Sequence, residues 1–170
     1  MTTTTALPEP VPASPARKLL AWLPTLLWLC VLALFSTDLF SAEHTGRVLE
    51  KILQALFGRI SHHTFVQTHF LIRKAAHFCS YGLLSALAFF SWRATLGSLQ
   101  RWTLRWALLG ILTASVAGGL DEFHQSFLPS RTSNFHDVLL DTAGAVFFQL
   151  VIALVIASRE SNRQRDGAGL

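Results

Sequence analysis

Charge is scarce in this sequence. Asp, Glu, Lys and Arg make up 14% of its residues, whereas a water-soluble domain usually carries about a quarter. That shortage argues against a soluble globular domain. Cysteine is nearly absent. Cys30 and Cys79 offer neither a disulfide framework nor a zinc-ligand spacing, and each lies in an apolar stretch where a small buried side chain is expected. Proline is confined: four of the six fall in the first 16 residues, beside a Thr run and without apolar periodicity. Residues 1–16 therefore read as a disordered tail.

Apolar residues are abundant, at 51%, and they come in long blocks. Leu19–Ser36, Ala75–Trp92, Leu104–Leu120 and Val138–Ala157 are each about 17–20 residues long, enough for a helix to cross roughly 30 Å of hydrocarbon. Polar residues do not recur on every turn, as they would on the amphipathic helices of a soluble bundle. The expected fold is all-α, an integral membrane bundle of four transmembrane helices forming one domain over residues 17–157. Residues 158–170 read as a loose polar tail. Arg17 and Lys18 precede the first block as in a signal peptide, but no good small-x-small site follows, so an uncleaved anchor is expected.

The connector between the first two blocks has a pattern of its own. In TGRVLEKILQALFGRI, Val48, Ile52, Ala55, Leu56 and Ile60 recur at helical spacing, with Glu50, Lys51, Gln54 and Arg59 elsewhere. This predicts a short helix lying in the membrane interface. Basic residues in the short connectors set the orientation. The stretch from Arg93 to Arg105 has three arginines and no acid, whereas Asp121 to Asp137 has one arginine and three acids. Both termini are then cytoplasmic, and connectors 37–74 and 121–137 face outward.

That orientation gathers the polar residues at one end. Lys74, His77, Tyr81 and Ser85 share a face of the second span, and ionisable groups facing lipid are costly, so the stripe is expected to face the bundle interior. Gly110, Ala114 and Gly118 form a small-residue seam for close helix packing. Ser115, Gly118, Glu122 and Gln125 share a face if that helix runs on, with Asp121 beside them. Pro129-Ser130-Arg131 makes a turn. Asn134 can cap the last helix, with Asp137 in its first turn. Asp141 lies one turn deeper, inside an apolar span, and needs a cation or a donor.

Four carboxylates (Asp121, Glu122, Asp137, Asp141) stand against Arg73, Lys74 and Arg131. A metal site would be dominated by acids or imidazoles, so no metal ligands are assigned. Balanced charge suits a polar headgroup instead, with cations for phosphate and acids for hydroxyls or proton transfer. A salt-bridge network that only ties three helices together is the plain structural alternative.

The ordered set Lys74-x-x-His77-x-x-x-Tyr81, Asp121-Glu122-x-x-Gln125, Pro129-x-Arg131 and Asp137-x-x-x-Asp141-x-x-Gly144 resembles the VanZ-like family, as does Phe35-Ser36 at the end of the first span. The resemblance runs from about residue 20 to 157. It implies a small bacterial membrane protein of about four helices in the cytoplasmic membrane, and a link to tolerance of the glycopeptide teicoplanin. Ser130 stands where glycine is common in the family, and Asp141 where many members have Asn. The resemblance brings no settled reaction or cofactor.

Three functions follow as expectations. In the first, the cluster acts on a lipid-linked envelope precursor, with His77 or Glu122 as acid or base. Lys74 and Arg131 hold a phosphate, Asp121, Asp137 and Asp141 orient them, and Tyr81 and Gln125 bond the headgroup. In the second, the same residues bind a lipid, a glycopeptide or a partner protein without chemistry. The third is an ion-coupled carrier using Asp141 and His77. The partner common to all three is the lipid bilayer. Nucleic acid is not expected, because orientation explains the arginines.

Overall fold

A computed structural model of the chain describes residues 14–37, 42–97, 102–129 and 133–168. Every regular element among them is a helix: α1 (Pro15–Phe35), α2 (Ala42–Phe57), α3 (His62–Leu96), α4 (Leu104–Gln125) and α5 (Phe135–Ala168). Local chemistry sets the starts. Ser14 accepts from Arg17 N with Pro15 next in line, Ser61 accepts from Thr64 N, and Thr103 accepts from Trp106 N. Each hydroxyl answers a backbone donor that a first helical turn leaves open.

The helices outrun the apolar blocks. α3 begins at His62 rather than Ala75, and α5 runs to Ala168, so residues 158–168 of the segment expected to be a loose tail are helical. Arg, Glu and Gln in that segment are good helix formers, and extending an existing helix needs no new nucleus. At about 1.5 Å per residue, α3 and α5 each exceed 50 Å, well beyond a hydrocarbon core of roughly 30 Å. Two helices, α1 and α5, are long and apolar enough to cross a membrane. The fifth helix, α2, occupies the connector whose apolar spacing predicted one. The first 13 residues of the expected N-terminal tail, and Ser130 and Arg131 of the expected turn, lie outside the described residues.

α3 is the hub and packs on α1, α2, α4 and α5. Its contacts define the directions of its neighbours. Lys74 meets Asp137, His77 meets Asp141 and Ser85 meets Gln149, so residue numbers rise together and α3 and α5 run parallel. Tyr81 meets Asp121 while Trp92 meets Thr113, so α4 is antiparallel to both. Trp22 and Thr25 reach Thr95 and Ser91, which makes α1 antiparallel to α3.

The close approaches of α3 to α5 and to α4 depend on glycine. A Cβ on Gly144 would lie 2.2 Å from the carbonyl oxygen of Phe78, and one on Gly110 would lie 2.7 Å from that of Ser85. Neither backbone atom can swing aside, so only glycine allows these approaches. The interior is unusually polar. Thr25, Ser85, Ser91, Asp141 and Gln149 are buried, whereas Leu108, Leu112, Val116 and Leu120 form an exposed stripe along α4. Thr25 and Ser91 share a hydrogen bond of 2.8 Å, and Ser115 and Thr142 one of 2.9 Å. Leu84, Phe89 and Ala114 share the interior with these polar groups, and the inversion relative to water-soluble folds lies in the apolar outer surface. Cys30 and Cys79 follow the inversion: they are exposed rather than buried, because they sit on outward helix faces.

Candidate functional site

The polar end of the bundle is built as successive rungs. Lys74, near the point where α3 enters its apolar run, pairs with Asp137 in the first turn of α5. One turn further in, His77 Nδ1 lies 3.3 Å from Asp141 Oδ1. Another turn on, the Tyr81 hydroxyl donates to Asp121 Oδ2 at 2.9 Å, and Gln125 Nε2 donates to the same oxygen at 3.0 Å. Residues from three helices therefore converge, as the shared-face spacing on α3 required. Arg131, expected to hold a phosphate, lies outside the described residues.

Asp141 is the most enclosed charge-bearing group, with none of its surface exposed. Gly118 makes room for it: a Cβ there would stand 3.1 Å from Asp141 Oδ2, the carboxyl oxygen that has no hydrogen-bond partner. The small-residue seam thus packs the helices and seats the acid as well. His77 uses Nδ1 on Asp141, which leaves Nε2 as the ring nitrogen not engaged by that carboxyl. A carboxylate that fixes an imidazole in this way sets its tautomer and orientation.

Glu122 faces inward beyond the apolar run that ends at Leu120. Its Oε2 accepts from Asn134 N at 2.8 Å, while its buried Oε1 has no partner. Burial pushes its carboxyl above the ordinary carboxylate range, against the opposing pull of the Asn134 N–H. Asn134 Oδ1 in turn accepts from His136 N at 3.0 Å, which caps α5. Asn134 therefore ties the end of α4 to the start of α5 through its own backbone and side chain.

Two cavities flank the rungs. One, of about 300 Å³, opens among α1, α2 and α3 and is lined by Leu32, Ser36, Arg73, His77, Tyr81 and Asp121 among others. The second, of about 390 Å³, lies on the far side of Leu32 and Ser36 and shares Tyr81 and Asp121. Ser36 stands between them, and its Oγ lies 3.0 Å from His124 Nδ1. Neither residue was singled out as a site from sequence. The Phe35-Ser36 ending was noticed, but nothing in the spacing linked it to a histidine 88 positions later. Gln149 was also missed; it donates to both the carbonyl and the hydroxyl of Ser85. A polar residue eight positions after Asp141 on a helix was the available signal.

Among the described residues no three His, Cys, Asp or Glu side chains gather as a metal-holding group. Among the described histidines, His77 is interior, His69 and His124 line cavities, and His62, His63 and His136 are exposed.

Comparison with curated proteins and with solved structures found no match. The sequence model of the family described as VanZ/LLP1 matches residues 20–156. That stretch includes the apolar runs of the four long helices and every rung from Lys74 to Asp141, and on that match the chain belongs to the VanZ/LLP1 family.

Proposed function

We propose that the chain crosses the bacterial cytoplasmic membrane four times, with both termini inside, and that its polar end binds the headgroup of a lipid-linked envelope component from the outer side. Membership of the VanZ/LLP1 family and two helices of membrane-crossing length support the membrane setting. The outward leucines of α4 and the polar interior support four crossings, since lipid rather than water suits that outer surface. α2, with Val48, Ile52 and Leu56 exposed, fits a helix lying along the interface.

The observation that carries the headgroup reading is the fully enclosed Asp141 bonded to His77, at the edge of a cavity whose other walls are largely apolar. Ionisable groups at such a depth are expensive to keep and mark sites of function in membrane proteins. Altered access of glycopeptides to the envelope, and with it teicoplanin tolerance, is the physiological effect that this binding would produce.

A second reading is catalytic. The pinned Nδ1 of His77 favours it, because the free Nε2 is then a base or acid aimed at a bound headgroup. His77→Asn separates the two. If binding is the function, the variant loses envelope-lipid changes and teicoplanin tolerance only in proportion to lost lipid affinity. If catalysis is the function, lipid affinity survives and turnover vanishes. Reporter fusions at Gln100 and Phe127 test the frame: Gln100 should report cytoplasm and Phe127 the outside, and the reverse result removes the envelope substrate.

A further inference from the structure

Lys74 was, with Arg131, an expected phosphate ligand, but it is committed to Asp137. The neighbouring Arg73 is differently placed. Among the described residues no carboxylate lies within ion-pair distance of its guanidinium. It lines the 300 Å³ cavity, and it also lines an adjoining one of about 240 Å³ beside Lys74 and Asp137. Arg73 is half-buried, and it sits two residues before the apolar run of α3, where headgroups meet hydrocarbon.

The rest of the larger cavity wall fits the other end of an amphiphile. Leu32, Phe35, Leu49 and Ile72 are apolar, while His69 and Ser36 add polar edges. His69 is turned toward α2, with Nε2 3.3 Å from Thr45 Oγ1. Burial, and after it the Arg73 guanidinium, hold the His69 imidazole below its ordinary pKa. Arg73 is therefore the cation on this wall, and a planar fork of donors that suits phosphate.

We propose that this cavity takes the phosphate of a phospholipid, or of a lipid carrier with the same phosphate chemistry, on Arg73, with the first part of one chain along Leu32, Phe35, Leu49 and Ile72. This deepens the headgroup reading and rests on it. The volume is at the low end for ligand pockets, which run from about 300 Å³ upward. It has room for a phosphate and the start of a chain, and no room for a saccharide with a peptide. A larger headgroup would therefore extend past Arg73 and His69 into water, away from the deeper His77 and Tyr81.

The test uses the full chain in maltoside micelles with three probes: dioleoyl phosphatidic acid, dioleoylglycerol and inorganic phosphate. Binding is read by intrinsic tryptophan fluorescence and by the shift in unfolding temperature. Phosphatidic acid should bind saturably, and the other two should not bind at matched concentration. Arg73→Gln should weaken binding about tenfold or more, the loss of one charge-assisted contact. Arg73→Lys should recover part of it. Arg159→Gln, an equal loss of charge at the other end of the bundle, should leave it within about twofold on the same scale.

Equal binding of dioleoylglycerol would overturn the phosphate, and equal binding of inorganic phosphate would overturn the lipid. Unchanged phosphatidic acid affinity in Arg73→Gln overturns the proposal outright. If His77→Asn still abolishes the envelope effect in that case, the headgroup reading stands without Arg73.

Discussion

Asp141 Oδ1 stands 3.3 Å from His77 Nδ1, and the carboxyl is wholly shielded while the histidine keeps an edge on the cavity. The pair joins two parallel helices at their most expensive point. Asp141→Asn keeps an oxygen that accepts from Nδ1–H. It should fold normally and lose little stability. Asp141→Leu keeps the branched shape with bulkier methyl groups and strands the imidazole, and should lose about 1–3 kcal/mol. Thermal unfolding in micelles reads the difference; a Leu variant as stable as the parent would mean the pair holds nothing together.

Tyr81 and Gln125 donate to one oxygen of Asp121. Either donor alone still satisfies that oxygen. Tyr81→Phe and Gln125→Leu should therefore each cost about 1 kcal/mol or less, the modest net worth of one hydrogen bond. The double variant should lose more than the sum, because the carboxylate is then left bare. A double-mutant cycle on unfolding free energies measures the excess, and strict additivity would show that the two donors act apart.

Glu122 predicts a pH dependence. Burial raises its folded-state pKa above the ordinary value of 4.5. Between 4.5 and that raised value the folded chain binds more protons than the unfolded chain. Stability from this group is thus fully present below 4.5 and falls as pH climbs through the window. Glu122→Gln removes this contribution. Unfolding temperatures of parent and variant, compared from pH 4.5 upward, should diverge with the parent declining more steeply. Parallel curves would place the acid in a wetter setting.

Gly144 and Gly119 form a matched pair of tests. A Cβ on Gly144 would press to 2.2 Å on the Phe78 carbonyl, whereas one on Gly119 meets nothing within 4 Å. Gly144→Ala should force α3 and α5 apart and cost about 1–3 kcal/mol or more, the usual penalty of overpacking. Gly119→Ala should be neutral or slightly stabilising, since Ala favours helix by roughly 1 kcal/mol over Gly. Fluorescence-detected gel filtration after heating compares the two.

Much of the site was legible because helical spacing is a strong signal. Lys74, His77, Tyr81 and Ser85 at steps of three and four could share only one face, and that face is the interior one. The Gly110-Ala114-Gly118 seam and the Asn134 cap were readable for the same reason: each is a local pattern with a local cause. Helix ends were less legible. α3 starts at His62, behind the capping hydroxyl of Ser61 and ahead of a polar stretch, so hydropathy placed the boundary 13 residues late. The exposed cysteines were misread because burial was inferred from apolar neighbours, although in this bundle those neighbours face outward. Ser36 with His124, and Arg73 against the cavity, depend on which helices meet, and no spacing along one chain encodes that.

The parallel run of α3 and α5 has a consequence for biosynthesis. Ribosomes deliver α3 well before α5, yet the partners of Lys74, His77 and Ser85 are all on α5. A nascent protein holding only the first four helices must shelter three unmatched polar groups, by water, by tilting or by help from the insertion machinery. The polar face of α3 therefore gains its partners only once the last helix has been made.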